Sequence, residues 1–103
     1  MMQGDQYRLP IELKYADGNF VTLEEVKDME VFVGTTRKML SKDEIEFDPL
    51  ENVFYVSLLQ KETFMMRGDV SVQARVLFLS GDVVGVDLGK LNVAQSTSKE
   101  VLQ

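Results

Sequence analysis

A chain of 103 residues with 45% apolar side chains can build one hydrophobic core but not two, so residues 1–103 are expected to form a single domain. The lack of cysteine excludes disulfides and thiolate metal sites, and the lack of histidine removes the commonest general base and metal ligand. Its 11 basic and 17 acidic residues give a net charge of −6, which argues against a nucleic-acid surface, where Lys and Arg must cluster.

Residues 1–10 contain no apolar stretch with a cleavage site, and no run nears the ~20 apolar residues of a membrane span. No signal peptide and no membrane insertion are therefore expected. Residues 1–6 are polar and expected to be loosely ordered. From Tyr7 the chain alternates, with Tyr7, Leu9, Ile11, Leu13 and Tyr15 on one parity, the pattern of a half-buried strand over 7–15. Pro10 cannot donate to a ladder, which places that strand at a sheet edge. Asp17-Gly18-Asn19 is a turn. Thr22 and Glu25 have capping-box spacing, but Val26-Lys27-Asp28 is too short a continuation for a helix, so a single turn that brings Val26 inward is expected.

A second strand is predicted from Met29 through Thr35 and on toward Leu40, broken by Ser41-Lys42-Asp43. A short strand over 44–47 points Ile45 and Phe47 to one face. Asp48-Pro49-Leu50-Glu51-Asn52 is a turn, and 53–58 returns as its hairpin partner. Residues 59–65 do not alternate and predict a helical turn crossing between two sheets.

The row Val70, Val72, Ala74, Val76 and Phe78 defines a strand over 70–79, followed by another over 83–93. A three-residue connection, Ser80-Gly81-Asp82, pairs Phe78 with Val84, Val76 with Val86 and Ala74 with Leu88, and sets Arg75 against Asp87 on the outer face. The apolar parity changes after Leu88, which predicts a bulge at Gly89-Lys90. Residues 94–103 are polar and expected to fray, with a short helix near 98–102. Six or seven short strands with one or two helical turns predict an all-β, immunoglobulin-like antiparallel sandwich without the Cys–Trp–Cys core of antibody domains.

No constellation of carboxylates or lysine suggests catalysis, so no enzyme activity, cofactor or metal is expected. Arg67-Gly68-Asp69 spells an integrin-binding tripeptide, but its simpler reading is a glycine turn into the next strand. The acidic groups around Asp43–Asp48 and Glu24–Asp28 lack the glycine and distal glutamate of a calcium loop and read as solvated surface. Gly81, Gly85 and Gly89 precede no helix, so they form no phosphate loop. Met65-Met66 fits either a core lid or a contact surface. If Val76 and Phe78 face inward, Leu77, Leu79 and Val83 face out at one hairpin tip, the candidate partner-binding residues. The alternative is that strand twist buries them under the Met39-Leu40 loop.

The segments Leu9-Pro10-Ile11-Glu12-Leu13 with its turn Ala16-Asp17-Gly18, Val31-Phe32-Val33-Gly34, Leu59-Gln60-Lys61-Glu62-Thr63, Val70-Ser71-Val72-Gln73-Ala74-Arg75-Val76 and Gly81-Asp82-Val83-Val84-Gly85-Val86-Asp87-Leu88-Gly89 carry a resemblance, as does the ending Ser98-Lys99-Glu100-Val101-Leu102. Over residues 7–102 the chain resembles short proteins encoded among tail and baseplate genes of phages and prophages of Gram-positive bacteria. More distantly it is similar to the N-terminal β-sandwich of phage baseplate upper proteins, an attachment unit that continues there into helical and receptor-proximal parts. The resemblance implies a non-enzymatic virion protein, bound to other tail or baseplate subunits or to copies of itself. It would reside in the host cytoplasm during assembly and then in the virion. A host-surface or carbohydrate-binding module of the same fold is the other expectation, with Tyr7, Tyr15, Phe20, Phe32 and Tyr55 as its only aromatic candidates.

Overall fold

Alternation of apolar and polar residues becomes seven strands in a computed structural model that describes residues 6–93. One antiparallel sheet holds β1 (Tyr7–Ile11), β5 (Val53–Leu58) and β4 (Ile45–Asp48) in the order β1-β5-β4. The other holds β3 (Thr36–Met39), β2 (Val26–Val33), β6 (Gly68–Phe78) and β7 (Val83–Val93) in the order β3-β2-β6-β7. The only α-helical turn among the described residues, α1 (Gln60–Thr63), carries the chain from β5 in the first sheet to β6 in the second, as its lack of alternation predicted.

This connectivity is the immunoglobulin-like Greek key, with strands B, E and D facing C′, C, F and G. In that frame β1 stands where B stands and β7 where G stands. A strand A, which would pair with the free edge of β1, is not among the described residues. Leu9, Ile11, Ile45, Phe54, Val56 and Leu58 from the first sheet meet Met29, Val31, Val33, Val72, Ala74 and Val76 from the second. Each fully buried Val, Leu or Phe contributes roughly 1.5–3 kcal/mol, so this facing surface is what holds the sheets together.

Several boundaries differ from the sequence expectation. The strand expected over 29–40 is a hairpin: β2 turns through Gly34-Thr35 into β3, pairing Val33 with Thr36. Gly34 adopts φ +62°, and a Cβ there would sit 3.0 Å from Val70 Cγ1, so the turn needs glycine for both reasons. The first strand ends at Ile11 rather than Tyr15, with one bridge between Lys14 and Phe20 beyond it. Leu13 stays buried, but Tyr15 is exposed. Thr22 makes no side-chain cap, because Leu23–Glu25 is one 3-10 turn too short to use it. Val26 nevertheless turns inward.

Register in the last hairpin is shifted by two. Leu77 pairs with Val83, Val76 with Val84 and Arg75 with Gly85, while Asp87 faces Gln73 rather than Arg75. The three-residue loop is Leu79-Ser80-Gly81, closed by Phe78 N–H donating to Asp82 O at 2.9 Å and Gly81 N–H to Phe78 O at 2.9 Å. Gly81 at φ +95° takes the left-handed third loop position, which the expected loop would have given to Asp82. A shift of two keeps every side chain on its expected face. The bulge falls one residue earlier than expected, at Leu88-Gly89 opposite Val72, with Gly89 at φ +89°, and restores Leu91 and Val93 to the inner side. The expectations for 1–5 and 94–103, including the helix near 98–102, lie outside the described residues.

Candidate functional site

Three connections gather at one end of the sandwich: residues 12–25, 49–52 and 79–82. The register places them there, since Ile11 faces Phe54 in one sheet and Val26 faces Phe78 in the other. They are tied together by Leu79 N–H donating to Glu25 O at 3.0 Å and by the Tyr15 and Phe78 rings 6.0 Å apart. Leu23, Phe47, Pro49 and Asn52 line a shared surface hollow that joins the first connection to the second.

Of the nine large apolar side chains exposed among the described residues, Tyr15, Leu23, Leu50, Leu79, Val83 and Val84 lie at or beside this end, against Phe32, Leu59 and Met65 elsewhere. Leu50 is 91% exposed and Leu79 65%. The three residues expected from sequence do not share one environment. Leu79 and Val83 are exposed at the tip, whereas Leu77 is half-buried and lines a hollow with Met29, Met39 and Val83. Leu23 and Leu50 were missed: each sits in a turn, where alternation gives no signal of direction.

Tyr15 donates its phenol proton to the Glu25 carboxylate. That bond, with the negative charges of Glu25 and Asp17 beside it, raises the Tyr15 pKa above its ordinary value of 10.0. Below this corner the inner face of β7 is only partly covered. Val84 is exposed, and Val86 and Leu88 are half-buried. They line an apolar groove of about 330 Å³ with Leu13, Tyr15, Val76 and Phe78.

Away from the loops, Lys38 is buried on the inner side of β3, a position the sequence did not single out. Its Nζ lies 2.8 Å from Glu62 Oε1 on α1 and 3.8 Å from Glu44 Oε2. Glu62 also accepts the Leu59 N–H at 2.8 Å, and Glu44 the Met39 N–H at 3.0 Å. This clasp fastens the edge strand of one sheet to the crossover arriving from the other. A buried ammonium met by two carboxylates holds structure.

The remaining sequence candidates separate. Asp69 of the Arg67-Gly68-Asp69 tripeptide lies in β6 and accepts the Asn92 side-chain amide at 3.2 Å, so it is not at a loop tip. Glu46 pairs with Arg8 at 3.1 Å, and Asp48 accepts the Leu50 N–H at 2.9 Å, so the acidic run is divided among separate tasks. Among the described residues no group of three or more carboxylates converges as a metal site would. Met65 is 87% exposed while Met66 is buried, so the pair is divided between surface and core. On the outer sheet face Phe32, Arg75, Gln73, Glu30 and Asp87 surround a hollow of about 290 Å³ beside Gly85. Among the described residues no helix is long and apolar enough to cross a membrane. Comparison with protein-family models, with curated proteins and with solved structures finds no match.

Proposed function

We propose that the protein is a non-enzymatic assembly module of a phage or prophage tail or baseplate, working through contact with other subunits. The supporting observation is the β6–β7 hairpin tip, where Leu79 in the loop and Val83 at the start of β7 are exposed, with Val84 exposed on the opposite face of the strand. Exposed apolar side chains gathered at one hairpin tip commonly mark a partner site, and a paired hairpin presents them at low entropic cost. The family likeness supplies the context, and the reading carries its localisation: host cytoplasm during assembly, then the virion.

The test is co-expression with the products of the neighbouring genes, followed by size-exclusion chromatography and light scattering. A defined complex, or a homo-oligomer that incorporates into tail particles, is expected. A monomer that joins none of those products would end the reading.

A second reading, carbohydrate binding, has its own support in exposed Phe32 flanked by Arg75, Gln73 and Asp87. Tyr55 and Phe20 are less suited, being capped by Arg8 at 4.4 Å and Lys14 at 4.9 Å. Glycan-array binding lost in Phe32→Ala would favour it.

A further inference from the structure

The charge of this molecule is not spread evenly. Within the three connections Glu12 and Lys14 neutralise one another at 3.2 Å. The other charged groups there, with Asp48 at the start of its turn, are Asp17, Glu24, Glu25, Asp48, Glu51 and Asp82, six carboxylates with no other basic residue among them. None of the six forms an ion pair among the described residues. Since the chain has 17 acidic and 11 basic residues, removing these six leaves eleven of each sign. These six carboxylates, equal in number to the chain's net charge of −6, lie at the end that also carries exposed Leu23, Leu50 and Leu79.

We infer that this loop end is a docking surface for a protein partner whose contacting face is both basic and apolar. The inference rests on the assembly reading and gives it a surface and a partner chemistry. Leu23, Leu50 and Leu79 stand out among carboxylates, so a purely apolar partner would have to strip water from those charges without compensation. A partner that interleaves Lys or Arg with aliphatic side chains meets both features at once. An anionic membrane or nucleic acid is repelled by the same charge. The carboxylates guide approach and register, and the three leucines, which neither the core nor the sheets use, supply the desolvated contact.

The experiment uses the whole chain labelled for NMR and three synthetic peptides: Lys alternating with Leu, Lys with Ser, and Glu with Leu. The Lys/Leu peptide is expected to shift resonances within 12–25, 48–52 and 79–84, and to weaken about tenfold between roughly 0.05 and 0.3 M salt. Leu23→Ser/Leu79→Ser and Glu24→Gln/Glu51→Gln/Asp82→Asn should each weaken it at least about fivefold without lowering the melting temperature, since all five side chains are at the surface. Equal binding of the Lys/Ser or Glu/Leu peptide overturns the proposal, as do shifts centred on Phe32 and Arg75 or spread over all faces. Complex formation with the neighbouring gene products is measured on the same variants. Complexes that survive both sets of substitutions would remove the surface and leave the assembly reading standing. Peptide binding at the loop end by a chain that joins no neighbouring product would do the reverse.

Discussion

Lys38 shows how one side chain can be required by its partners rather than by its own character. A lysine alternating inward on β3 would be an error of patterning if Glu62 and Glu44 were not there to meet it. Lys38→Met should lower stability by about 2–4 kcal/mol in urea unfolding, because Glu62 is left part-buried without its cation. Lys38→Met/Glu62→Gln should recover part of that loss, since glutamine still accepts the Leu59 N–H. Tyr15 gives a second residue-scale outcome. Its phenol should titrate above 10.0, and Glu25→Gln should bring it back toward that value, read from the phenolate absorbance lost in Tyr15→Phe. Because the folded pKa is raised, the bond contributes below the unfolded pKa near 10 and is lost as pH rises through the folded value. At this scale the sequence spoke unevenly. The inward row of β6 was legible because period-2 alternation is a direct record of burial. Lys38 was not, since its nearer counter-ion, Glu62, comes from the crossover helix of a different part of the chain.

Elements were legible where turn chemistry was strong and blurred where it was weak. Asp48-Pro49 to Asn52 identified its hairpin, helped by an Asp48 carboxylate that accepts the Leu50 N–H at 2.9 Å. Gly34-Thr35 did not announce itself, because Thr35-Thr36 continues a β-favouring run through the turn. Gly34→Ala should therefore destabilise by about 1–2 kcal/mol, from left-handed strain and from pressure on Val70, as measured by thermal unfolding. The tip of β6–β7 predicts a contrast. Leu79→Ser and Val83→Ser should each change stability by under about 0.5 kcal/mol, whereas half-buried Leu77→Ser should cost about 1–2 kcal/mol. Edges are managed individually. β1 carries Pro10, β3 and β4 are four residues each, and eleven-residue β7 is bent by its bulge.

At the scale of the molecule, two of the three hairpins and the crossover were legible, so the sandwich was readable before its register was. The clustering of loops at one end was not readable, because it depends on how the two sheets align. Six like charges held close together repel, so moderate salt should raise the melting temperature by a few degrees, about 0.5–1 kcal/mol, with little further gain once screening is complete. Glu24→Gln/Glu51→Gln should raise it at low salt and remove part of the salt response. The same uneven charge makes the protein an electric dipole whose negative pole is the loop end. In the field of a cationic body it would turn before it touched, arriving end-on far more often than by chance. Salt would then slow its capture much more than it would shorten the life of the finished complex.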